Sequence, residues 1–365
     1  MAPKSPKLKK SSKTQQQSSA NVAMPDIDPN TSFTAENFEK ELEALAAKAK
    51  DETWAKHMTE QAPPLLKSIV LLTLIAVYSN VSELALSPIY GSIPSSIWHS
   101  KLVMAACFVG WSSNLWMARG LPVKPHFLLP IVAIYIPMVQ FYLFKLSGVL
   151  TASWGPLITE AVTLFPLIVV SVACTANNLD GVDLSFLPGF IRDAAPGLGS
   201  YGFFRAVEGI SAGVIQSYVG KTFFFTRIGL QAVLAACYAL FAPSKLLLYT
   251  IPALMHTSFL NSHAQTSLGT AALNSTLNAQ GWVLLDRKES LTGYISVVES
   301  LTQGYRLLRC DHSLLGGEWV KFKDGQFAGN KVAEPIYGVF AMLEAVRLVQ
   351  VPTPVPDSKA TAFVM

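Results

Sequence analysis

Apolar residues gather into long runs through the middle of the chain and into short, Gly-punctuated runs near its end. Residues 1–32 are polar and poor in aromatics, with Lys4, Lys7, Lys9, Lys10 and Lys13 among them. Such a stretch buries too little apolar surface to fold, and it reads as a disordered basic tail. Over residues 33–62, Phe38, Leu42, Leu45 and Ala49 recur at helical spacing between Glu39, Lys40, Glu43 and Lys48. That pattern predicts an amphipathic helix, ended by Pro63 and Pro64. Residues 65–260 then hold six apolar runs: Leu65–Leu86, Leu102–Ala118, Phe127–Leu146, Pro156–Ala176, Thr222–Ala242 and the shorter, Pro252-interrupted Leu246–Leu260. At 1.5 Å per residue most of these reach across a hydrocarbon layer of about 30 Å, so about six membrane spans are expected. Tyr201–Gly220 carries Arg205 and Glu208 and reads as an interfacial or re-entrant helix.

After Asn261 the period changes. Residues 261–281 read as a polar linker. The runs "WVLLDRK", "GYISVVES", "GYRLLRCDH" and "GEWVKFKDGQF" are β-rich and bounded by Gly293, Gly304, Gly316, Gly317 and Gly325. They predict a small antiparallel sheet of hairpins. Pro335–Val349 shows Ile336, Val339, Leu343 and Val346 on one helical face, and Ala360–Met365 reads as a further strand beginning. The expected fold class is therefore mixed: a multi-pass helical membrane region, then a small antiparallel β subdomain and a helix.

Composition agrees with the runs. Hydrophobic residues are 51% and charged residues 14%, against about 25% charged in ordinary soluble domains. Mean hydropathy is +0.36. These values exclude a wholly soluble chain and make the lipid bilayer the first expected partner. The loop Ser87–Ser100 has no Lys or Arg, whereas Arg119, Lys124, Arg192, Arg205 and Lys221 mark the alternate segments. By the positive-inside rule six spans leave both termini cytoplasmic. Seven would place residues 261–365 outside, with Asn274 as a glycosylation acceptor. The pattern does not name the organelle. The basic tail reads as solvated, so no nucleic-acid partner is expected. Cys107, Cys174 and Cys237 lie in apolar runs and Cys310 stands apart, which gives no metal or disulfide spacing.

Few motifs carry chemistry. "GLGSYG" (Gly197, Gly199, Gly202) has the spacing of a dinucleotide turn, but the preceding "LPGFIRDAAP" is no strand. It reads as a flexible loop. Glu83 and Glu160 are carboxylates inside apolar runs, where ionisable groups mark function by default. Both fall near the outer ends of their spans and could share a vestibule for a cation, or simply be hydrated. His256 reads as a helix-contact residue. No catalytic triad, zinc set or phosphate loop is present.

The block "TGYISVVES…GYRLLRCDHSLLGGEW…AEPIYGVFAMLEAVRLV" resembles the N-terminal part of the spermidine/spermine synthase family, of the fungal type that carries a membrane region. "LLRCDHSLLGG" stands where that family has L-D-G-x-x-Q, and "AEPIYGVF" where its next helix opens. Glu334 and Tyr337 match the family, whereas its Gln, His and Glu positions hold Leu315, Gly338 and Val339. The resemblance covers about residues 282–365. It implies the start of a Rossmann-like domain, aminopropyl transfer in polyamine biosynthesis, and Asp311, Glu334 and Tyr337 as substrate-binding residues beside His312. Decarboxylated S-adenosylmethionine would be the co-substrate of the whole domain. The Gly-rich donor turn and the catalytic Asp of that family would follow Met365. No catalytic residue, cofactor or metal is therefore assigned, and the chain is expected to bind no S-adenosyl donor. Two alternatives stand beside this reading: an S-adenosylmethionine-dependent methyltransferase-like or non-catalytic module, and a membrane transporter or scaffold. A polyamine ligand and a homo-oligomer are compatible with each.

Overall fold

A computed structural model describes residues 35–182, 188–311, 313–320, 334, 335, 356 and 359. The chain divides into two compact units, Met1–Met58 and Thr59–Met365. In the first, the described residues are helical and Leu42 and Leu45 are exposed.

Helix α1 is Ala35–Tyr90, and it runs through Pro63 and Pro64 instead of stopping there. The carbonyls that these prolines cannot serve belong to residues 59 and 60, which are exposed. Ser68 Oγ donates to the Pro64 carbonyl at 2.9 Å. The helices that follow are α2 (Ser92–Ser112), α3 (Asn114–Gly120), α4 (Leu129–Lys145), α5 (Ser147–Val162), α6 (Leu164–Leu179), α7 (Gly189–Tyr218), α8 (Arg227–Phe241), α9 (Ile251–Met255) and α10 (Ser267–Asn278). α2 packs on α5 and α6, and α4 packs on α8 and α6. Their shared core includes Leu71, Ile75, Tyr78, Leu129, Leu167 and Tyr238, all fully buried.

Among the described residues, three stretches are long and apolar enough to cross a membrane: Thr59–Tyr90, Pro125–Lys145 and Ser147–Leu179. Six were expected. The second run is cut where α2 ends at Ser112 and the chain turns into α3. The fifth opens on a 3-10 turn, Phe223–Phe225, so α8 has only 15 residues. The sixth breaks into a 3-10 segment, the short α9 and a π-turn. Apolar composition shows that a segment is buried or lipid-facing, but not that its helix is continuous. The even count that placed both termini on one side loses its basis.

Two other expectations change. The Gly197–Gly202 run is not a loop: it lies inside α7, which also passes Pro196. The expected linker contains α10, whose N-cap Thr266 accepts from Gly269 N at 3.0 Å.

The sheet is an antiparallel meander of β1 (Trp282–Glu289), β2 (Tyr294–Ser300), β3 (Tyr305–Cys310) and β4 (Ser313–Trp319), as the hairpin spacing predicts. A two-residue β5, Glu334–Pro335, pairs with β4 through Glu318↔Pro335 and Trp319↔Glu334. These two residues were expected to open a helix. Proline fits this edge position because it has no amide to give to a further strand. Asp183–Leu187, His312, Tyr337, the rest of the expected helix to Val349, and the Ala360–Met365 run lie outside the described residues.

Candidate functional site

The sheet meets the helices along a polar seam. Arg227 opens α8 and is buried, which an arginine tolerates only when its charge and donors are matched. Its Nη1 donates to Glu289 Oε2 at 3.2 Å and its backbone amide to the same oxygen at 2.8 Å. Its Nε donates to the Leu84 carbonyl of α1 at 2.7 Å, and its Nη2 to the Ser290 carbonyl at 3.1 Å. The guanidinium also sits 4.9 Å from the Tyr294 ring centroid. One side chain thus ties α8, α1 and the first hairpin together. Burial pushes the Glu289 carboxyl above its usual range, against the pull of Arg227. Gly220, at φ 75, lets the segment before α8 lie on the Glu289 carbonyl, which a Cβ would strike.

Beside the seam, Arg287 donates to the Ser262 carbonyl at 2.6 Å, to the Ala264 carbonyl at 2.5 Å and to Thr270 Oγ1 at 2.7 Å. His263 stacks edge-on or tilted against Tyr294, Phe144 and Phe141 at 5.5, 5.8 and 6.1 Å. Burial, with Arg287, Arg227 and Lys145 nearby, lowers the His263 pKa to about 4.

Between the ends of α1 and α7 and the two hairpin loops lies a cavity of about 680 Å³. α1 contributes Asn80, Glu83 and Ser87, α7 contributes Gln216, and the loops contribute Thr292, Cys310 and Asp311. Asp311, at the turn between β3 and β4, has φ 51. Its Oδ1 accepts from Tyr294 N at 2.6 Å, and a Cβ on Gly293 would strike its carboxylate. Asp311 therefore locks the two hairpin loops together while facing the cavity. Of the three residues assigned by resemblance it is the one whose side chain is described. Glu334 is placed only through its backbone in β5, and Tyr337 lies outside the described residues.

Glu83 lines this cavity and Glu160 is not among its lining residues, so the two carboxylates, which the sequence allowed either to share a vestibule or to be hydrated, do not share this one. Glu160 is fully buried instead. Its Oε1 meets His99 Nδ1 at 2.6 Å and accepts from Ser82 Oγ at 3.5 Å, while Oε2 has no partner. His99 Nε2 meets Ser79 Oγ at 3.0 Å, and Ser79 donates to Glu208 Oε1 at 2.8 Å. Glu208 also pairs with Arg205. A carboxylate held by an arginine can only accept, so Ser79 must donate to it and His99 must carry its proton on Nε2. The line Glu160–His99–Ser79–Glu208 joins α5, α2, α1 and α7. Sequence reasoning missed Arg227, Glu289 and His99 as partners. The available signal was an ion or imidazole inside an otherwise apolar or strand pattern. Their partners lie 62 and 61 residues away, beyond any local spacing rule. His256 is buried against Phe141 at 5.0 Å, as a helix-contact residue would be.

A protein of Emericella nidulans named N-terminal histidine N-methyltransferase is 39% identical to the chain over 297 residues, which is 81% of this chain and 53% of that protein. The chain spans about half the length of this curated relative. No family model matches the chain, and no solved structure matches it. The relative overturns the resemblance to spermidine and spermine synthases, and with it aminopropyl transfer and polyamine biosynthesis. The features behind that resemblance were a Gly-bounded hairpin pattern, Asp311, His312, Glu334 and Tyr337. Hairpins of this kind recur across unrelated sheets, and Glu334 stands in a strand where the family would open a helix. Leu315, Gly338 and Val339 already lacked the polar groups an amine pocket needs.

The described residues do not fit a nucleotide-like methyl donor. Such a donor sits at the carboxyl ends of parallel strands, on a Gly-rich turn that opens a helix. Here the sheet is antiparallel, and the Gly197–Gly202 amides lie inside a helix.

Proposed function

We propose that the chain is part of a methyltransferase acting on a nitrogen of a chain-terminal histidine, and that its helices hold it in a lipid bilayer. The 39% identity over 297 residues supports the reaction class. The three apolar stretches Thr59–Tyr90, Pro125–Lys145 and Ser147–Leu179 support the bilayer. The cavity between the helix ends and the hairpin loops is the place for the acceptor, because it is polar, roomy and walled by both parts of the fold. On this reading the described residues supply the acceptor side of the site.

The test uses the detergent-solubilised chain and the full-length gene product. Each is incubated with methyl-labelled S-adenosylmethionine and a peptide that begins with histidine. Label on the terminal histidine from the full-length product supports the reading. Label only on internal residues, or transfer to a polyamine, sinks it.

A further inference from the structure

The cavity has an uneven charge. Its described lining contains Glu83 and Asp311 and no Lys, Arg or His. Asp311 is engaged by the Tyr294 amide. The Glu83 carboxylate, half-buried, makes no hydrogen bond or ion pair with any described residue. The charge of Glu83 is felt by the buried His99, but no described cation lines the cavity, and a carboxylate at the wall of such a concave site favours a cationic ligand because field lines focus there.

The neighbours of Glu83 suit an ammonium group. Asn80, Glu83 and Ser87 are spaced i, i+3 and i+7, on one face of α1. Both hydrogens of Asn80 Nδ2 are used, one to the Glu208 carbonyl at 2.7 Å and one to Ser211 Oγ at 2.8 Å. Its Oδ1 is therefore the group left to accept. Gln216 stands on the α7 wall with a further amide oxygen. A primary ammonium has three donors and no acceptor, so it needs this kind of acceptor set. Among the described residues no group of three His, Cys, Asp or Glu is placed to hold a metal ion. The volume of about 680 Å³ falls within the range of about 300–1,000 Å³ typical of ligand sites, and it exceeds what one bare cation needs. Glu83 lies two turns before the end of α1, next to the loops of the sheet, where a peptide end can reach it.

Resting on the substrate reading above, we propose that Glu83, with Asn80 and Gln216, binds the free α-ammonium group of the peptide's first residue. The protein then reads the chain terminus itself and not only the imidazole.

Calorimetric titration of the detergent-solubilised chain tests this with three peptides: His-Gly-Gly-Tyr, its N-acetylated form, and Ala-Gly-Gly-Tyr. The free histidine peptide should bind at least about tenfold more tightly than the acetylated one, as expected for loss of a charge-assisted hydrogen bond. In Glu83→Gln the two should bind nearly alike, and Glu83→Asp should restore part of the difference. Equal binding of free and acetylated peptide to the native chain overturns the proposal. So does a difference that survives in Glu83→Gln, or saturable binding of none of the three. If the alanine peptide binds as tightly as the histidine peptide, terminus recognition stands and the histidine reading loses its support.

Discussion

The helices and the sheet of the second unit are held in different ways. The helices between Thr59 and Phe241 share one apolar core, with Leu71, Ile75, Leu129, Leu167 and Tyr238 fully buried. In the sheet, the buried apolar residues among those described are Leu284 and Val298. Its position depends on Arg227, Glu289, Arg287 and the loops locked by Asp311. Burial of apolar area is non-directional and spread over many residues, so no single helix side chain decides it. A buried ion pair is directional, and removing one partner leaves the other uncompensated. The candidate acceptor cavity lies where these two kinds of cohesion meet. Its shape therefore depends on a few polar contacts rather than on the core.

The largest expected effect is at Arg227. Arg227→Ala leaves Glu289 buried without its counter-charge, at a cost of about 3–5 kcal/mol. Hydrogen exchange should show lost protection in residues 282–319 while α4 and α6 keep theirs. Simultaneous loss in the helices would show that the two parts fold as one and would break the comparison. Replacing both partners, Arg227→Met with Glu289→Leu, should restore much of the protection.

Gly220→Ala comes next. It forces a side chain into φ 75 and onto the Glu289 carbonyl, at a cost of about 1–3 kcal/mol. The loss should again fall on the sheet, and a limited-proteolysis pattern unchanged from the native chain would count against the seam.

The smallest effect is the titration of His263. Its folded pKa is lowered to about 4, from an ordinary value of 6.5. Between those values the unfolded chain takes up a proton that the folded chain refuses. The contribution of His263 is thus present above pH 6.5 and is lost as pH falls towards 4, by about 1–2 kcal/mol given its partial exposure. Glu289 runs the other way, since a raised carboxyl contributes stability that is lost as pH rises through its folded value. The difference between the native chain and His263→Phe isolates the histidine. A melting temperature that falls equally in both on acidification would remove His263 from the seam.

Parts of this were legible beforehand. The four strands follow from short β-rich runs between glycines, whereas Asp311 was singled out only through a resemblance that the comparison overturned, and its place in the turn between β3 and β4 came from the structure. Glu83 and Glu160 stood out as carboxylates in apolar runs, although their roles diverged. One faces a cavity and the other a buried imidazole, because Glu83 stands on the α1 face next to the sheet loops whereas Glu160, on α5, points at His99 of α2. The span count was overread, since the turn at Ser113, the 3-10 turn Phe223–Phe225 and the 3-10 and π-turns on either side of α9 break helices without breaking hydrophobicity. Glu334 was misread as opening a helix because a proline next to it is equally at home in a first helical turn and on a sheet edge.

The sequence by itself determined the local periods: a helical apolar body, a hairpin sheet after it, and carboxylates where water is scarce. These depend on residues a few positions apart, which chain geometry forces to be neighbours. The tertiary structure decided which of those groups meet. Arg227 pairs with Glu289, His99 with Glu160 and Ser79 with Glu208 only once helices and hairpins have packed, across separations of 62, 61 and 129 residues. Over such distances the chain is flexible, and only the packed core, through close-packing of its side chains, fixes which polar groups share a site.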